Sequence, residues 1–373
     1  MDNHPFALEV SSAAKPRSAV VRRSSPTSNP LIASYSTLLK TVRSDGLLRR
    51  HRRYYMILFA VLMLLFGAAW TGFGFLGESW SQLFIAAALG ALCTQFGFLA
   101  HEAAHGQIFS TKGANEWFAR LIGTGLTGIS YAMWVQKHTK HHVYPNTVDK
   151  DPDIKTGTVA FYPGGAASRR GAMVFFTRRQ GYFLFPLLLL LGLALYGRSV
   201  RFLLSREKVD HRWVEIPVLM GRYACFLAIV FWFLPLGMAF AFIGVQVAVF
   251  GFYMGASFAP NHKGMPVLDA SSRVDFLSRQ VLTSRNIAGG RFMDVLMGGL
   301  NRQIEHHLFP DMARPHLHRA ATLVRQHCRS HAIPYTETNL IASYAIVVRY
   351  LNTVGLSAGS SFECPVGDRY RPW

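Results

Sequence analysis

Charge is scarce in this sequence, and negative charge is scarcest. Only 16% of the 373 residues are Asp, Glu, Lys or Arg, against roughly 25% in ordinary soluble domains. Twenty acidic residues face 39 basic ones, a formal charge of +19. Cysteine is scarce too. Cys93, Cys225, Cys328 and Cys364 lie far apart, which excludes a disulfide scaffold and leaves no cysteine pair at metal-binding spacing. There is no internal repeat. No secretory signal is expected, because the first long apolar run starts at residue 54 and is too long for an h-region. Apolar residues are plentiful: half the chain is hydrophobic and 13% is aromatic, which excludes a disordered chain. Two readings of the +19 follow, a nucleic-acid surface or a membrane protein whose basic loops set its orientation.

Uncharged runs separate these readings. Tyr54–Leu76 is 23 residues without a charge, Trp80–Ala100 is 21, and Tyr223–Pro260 is 38; one bilayer crossing takes about 20. The first two runs form a hairpin around Gly77 and Glu78, and the third accommodates two spans meeting near Pro235-Leu236-Gly237. The sequence therefore predicts an all-α integral membrane protein with four transmembrane helices, at about 54–76, 80–100, 216–235 and 238–259. Interfacial helices and a cytoplasmic histidine-rich cap complete it. Lys and Arg number 10 in residues 1–53, 15 in 101–221 and 13 in 260–373, with none in the two short turns. By the positive-inside rule both termini and the central region are cytoplasmic, and no nucleic-acid partner is expected. Arg222 falls about a turn and a half inside the third span, taken to begin near Ile216, and is expected to snorkel to the interface. Residues 1–50 read as a disordered basic arm, rich in Ser, Pro and Arg up to about Asn29, and 51–373 as one domain. Gly181–Gly197 has 17 uncharged residues, interrupted by Pro186 and flanked by arginines; its length permits either crossing or lying in the interface.

Seven of the 15 histidines fall in three clusters: His101-Glu-Ala-Ala-His105, His138-Thr-Lys-His141-His142, and Gln303-Ile-Glu-His306-His307. Helical spacings of three and four put each set on one face, and neutral imidazole binds iron, zinc or copper. Alone, His101-Glu102-x-x-His105 matches a zinc-protease pattern in which the Glu activates water. That reading leaves five clustered histidines without a role.

The full set resembles the membrane fatty acid desaturase family, whose three histidine boxes read H-x(3–4)-H, H-x(2–3)-H-H and (H/Q)-x(2–3)-H-H. The likeness spans roughly residues 54–320. The stretch Gly298-Gly-Leu-Asn-Arg-Gln-Ile-Glu-His-His-Leu-Phe-Pro310 looks like the subgroup with Gln at the head of box three, which includes front-end and linoleoyl-CoA-type desaturases. The resemblance implies a non-haem di-iron site held by His101, His105, His138, His141, His142, His306 and His307. Family members usually add a ligand before box three; His262, in Ala259-Pro-Asn-His-Lys-Gly264, is the histidine placed for it. Gln303 is a candidate weak or water-mediated ligand. Glu102 and Glu305 are candidate acceptors that fix imidazole tautomers, with a solvated face as the alternative. His316 and His318, beyond Pro310 and Pro315, read as structural.

A shared metal pair requires boxes two and three on one side, hence an even number of crossings between His142 and His306. Gly181–Gly197 is therefore expected to be half-inserted or interfacial, as is the segment around Asn115–Val135. The implied reaction removes two vicinal hydrogens from an acyl chain, consuming O2 and two electrons. The substrate is an acyl-CoA or acyl-lipid entering from the membrane lipid. Arg169, Arg170, Arg178 and Arg179 are candidates to meet its phosphate groups, though positive-inside anchoring explains them as well. The fused haem domain of some subgroup members bears His-Pro-Gly-Gly, which is absent here; His4-Pro5 continues with Phe6. Electrons are thus expected from a separate ferredoxin or flavin-linked reductase. Asp149, Asp151 and Asp153 open like a calcium loop, but Ile154 and Ala160 stand where Gly and Glu are needed. A related di-iron hydroxylase or ketolase, and more distantly a membrane zinc metalloprotease, remain alternatives to desaturation.

Overall fold

The computed structural model describes residues 30–359. Five helices are long and apolar enough to cross a membrane: α2 (Arg52–Leu76), α3 (Gln82–Ala104), α8 (Leu184–Leu203), α9 (Arg212–Phe233) and α10 (Leu236–His262). Four of them coincide with the expected spans. Their outer faces leave Leu64, Phe75 and Trp232 exposed, as lipid-facing surfaces do. The remaining elements gather at one end of this bundle. They are α1 (Pro30–Ser44), α4 (Lys112–Arg120), a π-helix (Leu121–Thr127), α5 (Tyr131–Val143), α6 (Pro163–Ala167), α7 (Ala172–Thr177), α11 (Phe276–Leu282), α12 (Gly290–Leu296), α13 (Gln303–Leu308), α14 (Arg314–Ser330) and α15 (Leu340–Gly355). A two-stranded parallel ribbon, β1 (Asn286–Ala288) with β2 (Glu337–Asn339), is a small departure from all-α.

Of residues 1–50, expected as a disordered arm, 1–29 lie outside the described residues; in the rest, α1 buries Leu38 and Val42, and the following loop buries Leu47, in the core of α11, α13 and α14. Tyr35 Oη donates to the Leu308 carbonyl at 3.0 Å, fixing α1 against box three. Apolar residues of α1 at helical spacing supply the reason, an amphipathic face that the arginine-rich flanks disguise.

The segment expected as one interfacial helix over Asn115–Val135 is three elements. Thr111 caps α4, the π-helix then descends along α3, and Ser130 caps α5 through the Met133 amide. A Cβ on Gly123 would meet Ala100, while Thr127 Oγ1 contacts the Cys93 carbonyl at 3.4 Å. Cys93 precedes His101 by two turns, about 12 Å, so the chain dips into the bundle and returns. Buried Glu215 at the start of α9 ties this dip together: it accepts from Arg120 Nε (3.1 Å), Ser130 Oγ (2.6 Å) and the Ala132 amide (3.1 Å).

α8 is antiparallel to α10 and packed on its backbone. A Cβ on Gly192 would sit 2.4 Å from the Val247 carbonyl, and one on Gly251 would sit 2.3 Å from the Gly192 amide nitrogen. Both ends of α8 touch the capping elements. Ser199 Oγ accepts from the Ser130 amide at 3.1 Å, and Gln180, just before α8, bonds Ala160 and the Leu351 carbonyl of α15.

This packing makes a contrast within one helix. Gly251→Val should force α8 and α10 apart, at a cost of about 1–3 kcal/mol or more. Gly244→Val, whose new Cβ would meet nothing within 4 Å, should leave stability unchanged. Size-exclusion profiles of the detergent-solubilised variants after graded heating measure the difference.

Candidate metal centre

Four helices from distant parts of the sequence deliver the histidines. The last turn of α3 carries His101, and His105 is its C-cap residue. α5 carries His138, His141 and His142 in its second half. α10 ends on His262, and α13 is built of Gln303 to Leu308. Box three reaches α3 through a left-handed glycine pair: Gly298 and Gly299 have φ of +60° and +80°, and a Cβ on Gly298 would lie 2.4 Å from the Phe98 ring. Only glycine fits both the angle and the contact.

The eight histidines fall into two adjoining groups. His101, His105, His138, His142 and His306 bring one ring nitrogen each to within 4.8 Å of one another, and His141, His262 and His307 do the same. The groups meet where His142 stacks on His307, ring centres 4.3 Å apart. His138 Nε2 faces three other Nε2 atoms, those of His101 at 3.1 Å, His105 at 2.9 Å and His142 at 2.9 Å. A ring nitrogen carries one proton or one lone pair, so it cannot hydrogen-bond three others at once. The Nε2 atoms of His306 and His307 are buried without any hydrogen-bond partner. Around a metal with nitrogen ligands at about 2.1 Å, ligands at right angles stand about 3.0 Å apart. The residues present fit a cation at each group.

Burial keeps these rings neutral, the form that ligates. It holds His138, His142, His306 and His307 well below the ordinary imidazole range, and repulsion among neighbouring imidazoles adds to it. Burial brings His105 down to about 4. His141 differs: burial pushes it down, but the Asp151 and Asp153 carboxylates together raise it above the usual value. Asp151 bonds His141 Nδ1 at 3.0 Å, the arrangement that aims Nε2 at a metal.

Two more outer ring nitrogens, those of His307 and His262, have partners that sequence reasoning did not find. His307 Nδ1 meets Gln280 Oε1 at 2.9 Å, and Gln280 Nε2 also donates to the His142 carbonyl. His262 Nδ1 donates to the Thr283 carbonyl at 2.9 Å. Asp151 was in view as a failed calcium loop; its place ten residues after His141 was the available signal. Gln280 and Thr283 carry none, since they come from α11 and its cap, far from any box. Trp134 stacks on His138 with ring centres 4.3 Å apart and shields it.

The two glutamates stand away from the imidazoles. Glu102 forms a bidentate pair with Arg314 (2.7 and 2.6 Å) and a contact with Tyr55 Oη, while His101 Nδ1 has no partner. A carboxylate so engaged is no free base, so the zinc-protease role of Glu102 has no support in this geometry. Glu305 accepts from Asn286 Nδ2 at 2.7 Å and Tyr335 Oη at 2.9 Å, and burial pushes it up to about 7. Both are struts behind the boxes rather than acceptors of a ring N–H. Gln303 lies inside the second group, with Nε2 2.9 Å from His262 Nε2 and Oε1 accepting from Asn261. His316 packs edge-on to His51 and His318 meets Arg302, both outside the two groups.

Arg169, Arg170, Arg178 and Arg179 lie on the α6–α8 connection. Arg169 folds back on the carbonyls of Gly157 and Thr158, Arg178 on that of Ala358, and Arg179 covers Phe175. Arg170, Arg178 and Arg179 are exposed, and none of the four touches a box histidine.

The family model described as fatty acid desaturase matches residues 78–339, which include all eight histidines. The chain is 28% identical over 357 residues to an acyl-lipid (9-3)-desaturase of Physcomitrium patens, covering 91% of this chain and 65% of that protein. It is 28% identical over 332 residues to a delta(8)-fatty-acid desaturase of Helianthus annuus, with 83% and 69% covered. It is 29% identical over 343 residues to the delta(6)-fatty-acid desaturase fat-3 of Caenorhabditis elegans, with 87% and 75% covered. The chain thus spans less than two thirds of the length of the first relative.

The Asp151–His141 contact yields a direct test. Asp151→Asn keeps an acceptor but removes the charge, and should weaken metal retention about 10- to 100-fold. Asp149→Asn, at an exposed position, should retain metal as the parent does. Metal content after titration with a chelator measures both.

Proposed function

The chain belongs to the fatty acid desaturase family, and on that premise we propose that it introduces a carbon–carbon double bond into a fatty acyl chain at a non-haem di-iron site. The observation that carries this reading is the convergence of eight imidazoles as five and three around two adjoining points. One metal position is assigned to His101, His105, His138, His142 and His306, the other to His141, His262 and His307 with the Gln303 amide beside it. Two irons, once bound, supply the O2-derived oxidant that an unactivated C–H bond requires. The balance is one saturated –CH2–CH2– unit, O2, two electrons and two protons giving –CH=CH– and two waters.

The protein's own residues do the remaining work. Asp151, Gln280 and the Thr283 carbonyl aim three of the rings. The Glu102–Arg314 pair and the Glu305–Asn286–Tyr335 set hold box one and box three from behind. Trp134 and Phe258 pack on His138 and His101 and keep water from the ligands. The acyl chain enters from membrane lipid, on CoA or on a lipid. An external ferredoxin or flavin-linked reductase delivers the electrons.

The topology we assign has four crossings, α2, α3, α9 and α10, with both termini and the metal centre cytoplasmic. Three apolar helices separate His142 from His306, yet both histidines join one group, so one of the three does not cross. α8 is that helix: its C-terminal part is bonded to the cap of α5 and its N-terminal end to α15, elements of the histidine-bearing side. The distribution of Lys and Arg supports the orientation.

Cells expressing the chain should accumulate a fatty acid with one added double bond, read by gas chromatography with mass spectrometry. Purified protein should hold two irons. His141→Ala and His307→Ala should reduce the product by more than about 100-fold while the protein stays in the membrane. A hydroxylated product, or one zinc per chain, would overturn the reading. Cysteine introduced at Gly237 should react with an impermeant maleimide only from outside the cell, and cysteine at Arg206 only from the cytoplasm.

A further inference from the structure

Arg222 does not reach for the interface. It lies ten residues into the 22-residue α9, six residues or about 9 Å past the expected start of the third span at 216, and so inside the apolar core. Its side chain turns inward, where Nε meets the Leu126 carbonyl at the foot of the π-helix at 3.4 Å and the guanidinium faces the rings of Tyr196, Tyr223 and Phe226. No carboxylate among the described residues pairs with it. A charge at this depth turned toward the bundle marks a functional position by default.

A cavity of about 230 Å³ lies beside it, between α2, α3, α9, α10 and the π-helix. One wall is polar. Gln246 is 1% exposed, its Nε2 donates to Cys93 Sγ at 3.7 Å, and its Oε1 has no partner. The opposite wall is apolar, formed by Phe66, Trp70, Phe226 and Ile229, and Ile229 is exposed on the lipid side. The pairing of a cationic donor with an unused acceptor calls for one group that both accepts and donates, attached to an apolar tail. A carboxyl group does this: its carbonyl oxygen takes the guanidinium and its hydroxyl donates to Gln246. Depth discriminates further. Lipid phosphates stay at the headgroup level, about 15 Å from the centre of a 30 Å core, whereas a carboxylic acid is neutral when protonated and sinks with its chain.

We propose that this intramembrane cavity binds a free long-chain fatty acid, its carboxyl group between Arg222 and Gln246 and its chain along Phe66, Trp70, Phe226 and Ile229 toward the bilayer. The site is separate from the metal centre. Binding to it needs neither iron nor turnover, so it stands or falls apart from the desaturase reading.

The test uses the full chain in phosphatidylcholine nanodiscs with a diazirine-bearing palmitic acid as the probe. Irradiation should label peptides of α9 and the π-helix around Cys225 and Leu126. Excess oleic acid should remove the label; methyl oleate and phosphatidic acid should not. Arg222→Gln should lower labelling at least about tenfold, the loss expected for one charged hydrogen-bonded pair, and Arg222→Lys should lose less. Gln246→Leu should lower it severalfold, and serves if Arg222→Gln does not elute as a monodisperse protein. Equal competition by methyl oleate or phosphatidic acid, labelling spread evenly over the spans, or unchanged labelling in a folded Arg222→Gln or Gln246→Leu protein would each overturn the proposal.

Discussion

Eight imidazole nitrogens point at each other. No arrangement of protons satisfies a cluster in which His138 Nε2 alone has three ring nitrogens within 3.1 Å, and burial forbids relief by charging the rings. The frustration is removed by cations, and the surrounding structure can be read as the means of enforcing it. Arg314 locks Glu102 behind box one, Asn286 and Tyr335 lock Glu305 behind box three, and buried Arg285 binds the carbonyls of Pro260 and Lys263 at the end of α10. Each of these contacts holds in place a helix end that carries a ligand. Without them the rings would relax outward.

The membrane half of the molecule serves the same end by different means. Helices α3 and α10 run side by side, close enough that a Cβ on Gly90 would lie 2.6 Å from the Gln246 carbonyl. That proximity sets His101 and His262 at one level. α8 then fills the groove along α10, glycine against glycine. Small residues at helix contacts are the usual solution in a lipid solvent, where dispersion and close approach replace the hydrophobic effect between helices.

Much of this was legible in the sequence, and the legible parts share a cause. Hydropathy runs and histidine spacing are local patterns, so four of the five long apolar helices and the three boxes could be placed to within a few residues. His262 could be placed only because no other histidine lies between the last span and box three. Gln280 and Thr283 were not legible as ring partners, since their roles exist only after folding brings α11 against the boxes. Glu102 and Glu305 sit next to ligands in sequence, but helix geometry turns them to the opposite side, toward Arg314 and Tyr335. The first helix was hidden for a compositional reason: its apolar face is short and lies beside an arginine-rich tract. Gly181–Gly197 was ambiguous by length; in the fold it lies within α8, which is long and apolar enough to cross and is hydrogen-bonded near both ends.

The order of the ligands along the chain has a consequence for assembly. The first two ligands leave the ribosome with α3, and the last two follow some two hundred residues later, on α13. Until α13 docks, with Gly298 just ahead of it seated on Phe98 of α3, neither group has its full set of donors. All five long apolar helices have therefore been made before the centre can close. Metal loading must be a late event, performed on a chain already embedded, with the folded cap as the last gate the ion passes.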